Sequence, residues 1–178
     1  LGYDKEQLVY IPMRGEFREQ FDAVKNTLLQ HPSILNVTRS ATLPSYGNVF
    51  SNSKWSWEGR NPNEEGLMHG NFIGYDFFET FGMEMAAGRA FSKDFATDEE
   101  TVVVNEEAVR RMGVTDPVDM QLLAGGDPAT IIGVVEDYHF RSLHKQIEPL
   151  VLILRPQYSR LLCAGISGRD VAGTIAFL

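Results

Sequence analysis

The sequence is poor in the residues that build several common kinds of site. Cys163 is the only cysteine in 178 residues, so an intramolecular disulfide and a cysteine-based zinc cluster are both excluded. The longest uninterrupted aliphatic run spans residues 150–154, far less than the roughly 18 residues that a transmembrane helix needs. The sequence given therefore predicts neither a membrane span nor a signal peptide.

Positive charge is also scarce. Lys and Arg together number 16 against 24 Asp and Glu, which gives a formal net charge of −8. Because nucleic-acid binding and adhesion to anionic lipid both require clustered positive charge, neither is expected of this chain. With 43% hydrophobic and 22% charged residues, the composition predicts a folded globular chain rather than a disordered one.

The hydrophobic pattern predicts an α+β fold that opens as β-α-β. Residues 8–13 and 34–41 are short and β-rich, and the apolar residues of 17–28 fall on one stripe of a helix. The following passage, 42–70, is rich in Ser, Asn, Gly and Pro, and such a long irregular stretch is typical of an inserted module. The predicted organisation is therefore an outer subdomain of two chain segments, interrupted by an insertion.

The second half of the chain predicts further strands and a capped helix. A β-branched run at 101–104 precedes Asn105, a favoured N-cap residue, and Gly113 is a favoured helix terminator. A turn at Gly125-Gly126 is predicted to join two strands. The apolar run 150–154 predicts a strand that is buried on both faces.

The densest group of candidate ligands follows one of these strands and consists of Glu136, Asp137, His139 and His144. Carboxylates and imidazoles suit zinc or a non-haem metal, so a metal-dependent hydrolase is one hypothesis. The two histidines are neither four apart on a helix nor alternate on a strand, and polar residues are expected wherever a chain leaves a strand. The sequence leaves both interpretations open.

Two tryptophans, Trp55 and Trp57, lie two residues apart on a predicted short strand, with Phe50 close by. Residues two apart share one face of a strand, and exposed aromatic side chains stack on sugars or anchor peptide partners. One hypothesis is therefore a carbohydrate- or peptide-binding surface formed by Phe50, Trp55 and Trp57. The alternative is that these rings fill a small hydrophobic core.

Motifs that indicate catalysis are absent. The sequence contains no GxSxG, HExxH or CxxC. The acidic residues Asp94, Asp98, Glu99 and Glu100 lack the spacing of a calcium loop, so they are predicted to form a solvated loop. These absences favour a protein that is not an enzyme and that uses no cofactor.

Three runs of residues, in order along the chain, resemble the extracytoplasmic domain of FtsX-like, MacB-type ABC transporter permeases, especially the large permeases of Bacteroidetes-type bacteria. The first run is an aromatic segment that leads to Gly-Arg-x-Phe, the second is Asn-Glu after a strand, and the third is Ile-Gly-Val-Val-x-Asp-x-His-Phe-x-Ser-Leu-His before Pro-Leu. The matching residues are Tyr75, Phe77, Phe78, Gly82, Gly88, Arg89, Phe91, Asn105, Glu106, Ile132, Gly133, Val134, Val135, Asp137, His139, Phe140, Ser142, Leu143, His144, Pro149 and Leu150.

The resemblance implies a porter-like βαβ subdomain, 1–42 with 130–178, interrupted by a smaller α+β subdomain, 43–129. It also implies a place on the periplasmic face of the inner membrane, as part of a multi-pass membrane protein. A cytoplasmic ABC ATPase would act on the domain through membrane segments outside the sequence given. Further implied partners are a second permease copy, a periplasmic adaptor, and a lipoprotein or peptide substrate.

Such a domain would couple ATP hydrolysis in the cytoplasm to movement outside the membrane. A domain that transmits force needs rigid, well-packed units rather than perturbed catalytic groups. Asp137 and His139 lie where the chain returns to the outer subdomain, so they are predicted to hold a hinge between the subdomains by hydrogen bonds to the backbone.

Overall fold

The computed structural model describes most of the chain. The described residues are 2–3, 7–44, 49–52, 54–61, 63, 66–124, 127–141, 145–168 and 171–177. The predicted turn at Gly125-Gly126 and the candidate ligand His144 lie outside them. No helix among the described residues has the length and apolar character that crossing a membrane requires.

The described residues form a mixed α+β fold, as the sequence predicts. The strands are β1 (Leu8–Pro12), β2 (Ile34–Ser40), β3 (Phe50–Asn52), β4 (Trp55–Trp57), β5 (Met68–Ile73), β6 (Met85–Gly88), β7 (Thr101–Asn105), β8 (Gln121–Ala124), β9 (Asp127–Val135), β10 (Leu150–Leu154) and β11 (Leu161–Ile166). The α-helices are α1 (Glu16–Glu19), α2 (Phe21–Leu28), α3 (Phe77–Phe81), α4 (Glu106–Met112) and α5 (Val171–Phe177).

All of these strands belong to one sheet, with the order β1-β11-β2-β5-β10-β7-β9-β8-β4. In addition, β3 pairs with β5 and β6 pairs with β9. The strand β10 lies near the centre, parallel to β5 and antiparallel to β7. Its residues alternate between two core clusters, since Leu152 faces one cluster and Val151 the other. The prediction of a strand buried on both faces is therefore confirmed.

The sheet is narrowest between β2 and β5, which are paired at the single position Ser40–Ile73. Two backbone bonds flank that pair, from the Ala41 amide to the Phe72 carbonyl and from the Gly74 amide to the Arg39 carbonyl, both 2.8 Å. We refer to β1, β2 and β11 as the small strand group and to β3–β10 as the large strand group. In backbone pairing, the connection between the two groups is thus much thinner than that within each, although one core cluster includes Cys163 of β11 together with residues of the large strand group.

The predicted subdomain boundary at residue 130 differs from the grouping of the strands. It assigns the end of β9 and all of β10 to the outer subdomain, whereas β10 pairs with β5 and β7, and β9 pairs with β7 and β8. All of these partners are strands of the predicted insertion. The reason is that an uninterrupted apolar strand such as β10 must be covered on both faces, which places it in the interior of the sheet.

Local sequence signals account for α4 and α2 well. The side chain of Asn105 accepts a bond from the Ala108 amide, and Gly113 ends α4 in the left-handed conformation with φ 69°. In α2, Phe21 and Leu28 are buried against β2 and β11 in the core of the small strand group. The predicted single helix over 17–28 is interrupted at Gln20, which separates α1 from α2.

A close glycine contact explains a strand that the sequence pattern missed. Gly88 lies at the end of β6, where it pairs with Gly133 of β9. A Cβ on Gly88 would lie 2.3 Å from the Ile132 carbonyl oxygen, and its φ is +65°. Both facts require glycine at this position, so Gly88 allows the close approach between two strands.

Candidate functional site

A buried polar cluster joins the start of α4 to the end of β9 and the start of β10. Its centre is Asn105, which has no exposed surface. The Asn105 Oδ1 accepts bonds from the amides of Ala108 and Leu150 (3.1 and 2.8 Å), and its Nδ2 donates to the Glu148 carbonyl (3.1 Å) and to Asp137 Oδ1 (3.0 Å). All four hydrogen-bonding positions of this amide are used, so Asn105 is more than a helix cap.

Asp137 completes the polar cluster. Its Oδ1 also accepts a bond from the Glu107 amide (2.9 Å), and its Oδ2 is paired with Arg110. The Asp137 amide donates to Glu106 Oε2 (3.1 Å). A carboxylate at the first turn of a helix is favourably placed for the helix dipole. Asp137 thus accepts one bond from the backbone, and its partners belong to the large strand group, so its predicted role in a hinge between the subdomains stays a prediction.

The structure brings together only part of the predicted metal cluster. Glu136 is exposed, His139 is half-buried, and His144 lies outside the described residues. Across the described ranges, no three His, Cys, Asp or Glu side chains come close enough to hold a metal ion. Asp137 instead bonds to Asn105 and Arg110. The geometry therefore favours a structural role for this carboxylate over a role as a metal ligand.

The tryptophan pair lies in the hydrophobic core, which corrects the hypothesis of an exposed aromatic surface. Trp55 is 1% exposed and Trp57 is 7% exposed. Both pack in the cluster that contains Leu122 of β8 and Met112 of α4. The third residue of the predicted surface, Phe50, is only partly buried. Of the three rings, Phe50 alone has a substantial exposed area.

The acidic residues predicted to form a solvated loop include one that is fully buried. Asp98 has no exposed surface, and Arg89 binds both of its carboxylate oxygens, at 2.9 and 2.7 Å. The Ser92 amide donates a third bond of 2.8 Å. Burial acts to raise the pKa of Asp98, but the bonds from Arg89 and Ser92 outweigh it, so this pKa lies below its usual value.

A second set of linked polar side chains, which the sequence pattern did not indicate, connects β3, β5 and the segment before β10. His69 is 4% exposed. Its Nδ1 lies 2.9 Å from the Ser51 hydroxyl, and its Nε2 lies 3.3 Å from Glu148 Oε1. Arg141 in turn donates to Glu148 at 2.8 Å. Since Ser51 and Glu148 are far apart in sequence, it is the pairing of β5 with β3 on one side and with β10 on the other that brings these side chains together.

His69 is expected to make the stability of the fold depend on pH. Burial and the nearby Arg141 lower the pKa of His69, against the opposing effect of Glu148. The unfolded chain therefore binds this proton more readily, and the free energy of unfolding should decrease as the pH falls below 6.5, by at most about 1.4 kcal/mol per pH unit for one group. Urea denaturation at about pH 7.5 and about pH 5.5 measures this decrease.

His69→Gln removes the titrating group, so the variant should lose less stability over the same interval than the wild-type protein. His31→Gln is the matched control, because His31 lies at the end of α2 and outside this chain of bonds. Equal pH dependence in wild-type protein and His69→Gln would contradict the assignment to His69.

A large groove lies at the junction of the two strand groups. Its volume is about 870 Å³, which is within the range of small-ligand and peptide sites. A row of three aromatic rings crosses it, with Phe50 4.9 Å from Phe72 and Phe72 5.0 Å from Tyr158, measured between ring centroids. A Cβ on Gly70 would lie 2.1 Å from the ring of Phe50, so the glycine allows the ring to lie against β5.

The sequence matches the family model described as MacB-like periplasmic core domain over residues 4–171. A curated relative, the macrolide export ATP-binding/permease protein MacB of Chromobacterium violaceum, is 42% identical over 65 residues. That match covers 35% of this chain and 10% of the relative. The chain thus spans only a small part of the curated relatives that it matches.

Two solved structures share the fold. The periplasmic region of MacB from Actinobacillus actinomycetemcomitans superposes with a TM-score of 0.64 at 18% identity, covering 99% of this chain and 81% of that one. The extracellular domain of the noncanonic ABC-type transporter YknZ from Gram-positive bacteria gives 0.59 at 18% identity, covering 94% and 86%. These similarities extend over nearly the whole chain and establish the α+β architecture.

Proposed function

Because the chain belongs to the family of MacB-like periplasmic core domains, we propose that it is the extracytoplasmic domain of an ABC transporter permease. The observation that carries this proposal is the family match, which covers residues 4–171 in one stretch. In this role the domain lies on the periplasmic face of the inner membrane, as part of a multi-pass protein, and it has no catalytic site of its own.

The domain would couple ATP hydrolysis in the cytoplasm to movement outside the membrane. One core cluster lies within the large strand group and another within the small one, and a third joins the large group to Cys163 of β11. Densely packed cores move as rigid bodies rather than deform. Among the described residues, the two groups are joined in the sheet at the pair Ser40–Ile73 and by the two backbone bonds beside it. A narrow connection between rigid bodies is the arrangement that a hinge motion uses, so we place the hinge at this junction.

The predicted hinge role of Asp137 and His139 remains a prediction. The bonds of Asp137 run to Asn105, Glu107 and Arg110, all within the large strand group. These contacts support a role in keeping that group rigid. A rigid large strand group is compatible with a hinge at the junction of the two groups, because a rigid body transmits a movement from one of its ends to the other.

The proposed partners follow from this role. The curated relatives are named as ATP-binding/permease proteins, which supports a cytoplasmic ABC ATPase as the source of the movement. A second permease copy is a further proposed partner. A periplasmic adaptor, or a lipoprotein or peptide substrate, would contact the domain outside the membrane.

The proposal is tested in the full-length transporter, reconstituted with its ATPase. Spin labels are attached to cysteines introduced at Glu19 of α1 and at Thr115, both exposed, so that one label reports on each strand group. Burial raises the pKa of the native Cys163 to about 12, so this thiol stays unlabelled at neutral pH. We expect the distance between the labels to change when ATP binds and to return after hydrolysis.

A label pair at Lys54 and Thr115 is the control, because both residues lie in the large strand group. Its distance should stay constant through the ATP cycle. An ATPase variant that binds ATP without hydrolysing it should hold the first pair in the changed state. Identical distances with and without ATP, in a transporter whose ATPase is active, would contradict the coupling role.

A further inference from the structure

We propose that the groove between the two strand groups binds a peptide segment of a partner, in which apolar side chains separate acidic residues on one side from basic residues on the other. The groove is lined from both sides: Tyr10, Arg18 and Arg160 come from the small strand group and its connections, whereas Phe50 and Phe72 come from the large one. A segment bound there contacts both bodies on either side of the narrow connection.

The aromatic row supplies the apolar part of the site. Phe50 and Phe72 are stacked with an angle of 29° between their rings, and Tyr158 leans on Phe72 at 42°. Tyr158 is 54% exposed and Tyr10 is 46% exposed. Exposed aromatic rings set in a concave surface are typical anchors for an apolar side chain of a binding partner.

The charges of the groove select an acidic ligand. Arg18 and Arg160 line it, and no Asp or Glu belongs to its described lining. Neither arginine has an ion pair among the described residues, although the chain carries a net charge of −8. Two guanidinium groups that line the same groove as aromatic rings are suited to binding carboxylates next to an apolar side chain.

A buried amide distinguishes a peptide from other anionic amphiphiles. Asn71 also lines the groove and is 4% exposed. Its Nδ2 donates to the Ser40 hydroxyl at 3.1 Å, whereas its Oδ1 has no hydrogen-bond partner in the described part of the chain. A buried carbonyl oxygen needs an N–H or O–H donor. A peptide backbone offers N–H groups, but the acyl chain of a fatty acid does not.

A second depression, of about 590 Å³, adjoins the groove and shares Phe50 and Phe72 with it. Its acidic lining residues are Glu99, Glu100 and Asp127, against a single arginine, Arg155, among the described residues. The charge of the surface therefore changes from positive to negative across the aromatic row. A peptide that crosses the row is expected to carry acidic residues on the arginine side and basic residues on the carboxylate side, since opposite charges then meet at both ends.

Isothermal titration of the 178-residue chain with capped hexapeptides tests this inference. The probe has two aspartates, a phenylalanine and a leucine, then two lysines, and it is used in both sequence directions. The comparison peptides replace the charged residues by Asn and Gln, or the two apolar residues by glycine. We expect one direction of the charged probe to bind with a Kd below about 1 mM and the comparison peptides to bind more weakly.

Variants identify the surface that is responsible. Arg160→Gln and Tyr158→Ala should each weaken binding about threefold to tenfold, because both side chains are exposed and line the groove. Arg14→Gln is the matched control, since Arg14 is exposed and lies outside the groove. Circular dichroism of each variant verifies that the fold is retained.

Three results would overturn the inference: equal affinity for the charged and neutral peptides, equal affinity in Arg160→Gln and Arg14→Gln, or binding of oleate in place of any peptide. The measurement needs neither the membrane segments nor an ATPase. A failure here would therefore leave the proposed transport role intact, and a failure of the distance experiment would leave peptide binding intact.

Discussion

Asn105→Ala is expected to lower the free energy of unfolding by about 3–5 kcal/mol, measured by urea denaturation. The substitution removes the N-cap of α4, which alone contributes about 1 kcal/mol. It also leaves the Leu150 amide and the Glu148 carbonyl without their partner, and each buried group left unpaired costs about 1–3 kcal/mol. Because Asn105 is fully buried, water cannot replace these bonds.

Asn105→Asp separates the two functions of this side chain. Aspartate keeps an acceptor for the Ala108 amide, but it can no longer donate to Asp137 Oδ1, and it places a second negative charge beside that carboxylate. This variant should also be strongly destabilised, in spite of its good capping residue. Asn26→Ala, on the exposed side of α2, is the control and should change stability by less than about 0.5 kcal/mol. A loss in Asn105→Ala no larger than that of a lost cap would contradict this account.

Asp98→Ala is expected to destabilise the protein by about 3 kcal/mol, at the low end for breaking a buried ion pair. The low end applies because the Arg89 side chain is 35% exposed and regains some contact with water when its partner is removed. The substitution also leaves the Ser92 amide without its acceptor. Thermal and urea denaturation at neutral pH measure the loss.

The same carboxylate predicts a dependence on acid. Since the folded state lowers the pKa of Asp98, its stabilising effect is complete above the usual value of 3.8 and is lost as the pH falls through the lowered value. Glu100→Ala is the control, because Glu100 lies in the same acidic run but is exposed. Equal losses in Asp98→Ala and Glu100→Ala would support the solvated loop that the sequence suggested.

The parts of the fold that sequence predicts best are those with local causes. The cap Asn105 and the terminator Gly113 lie within a few residues of the helix that they bound, and β10 shows its central position by its apolar composition alone. By contrast, β6 depends on the approach of Gly88 to Gly133. A contact between residues so far apart in sequence leaves no periodic signal.

The candidate site residues also depend on contacts between distant parts of the sequence. The exposure of Trp55, Trp57 and Asp98 is decided by tertiary packing, and all three are buried. The chain of bonds through His69 requires β3 and β5 to be neighbours. The groove is formed by residues of both strand groups, so no single stretch of sequence could reveal it. The functional prediction came from the family resemblance, which rests on the order of several motifs along the sequence.

The pairing of β1 and β2 on either side of β11 has a consequence for the order in which the protein folds. The strands β3–β10 come from one continuous stretch, 50–154, so the ribosome can complete that unit before it makes residues 161–166. Among the described strands, β1 pairs with β11 and with no other, and β2 pairs with β11 along its whole length. We expect β1 and β2, which are synthesised first, to be among the last strands to pair, because their partner β11 is synthesised more than a hundred residues later.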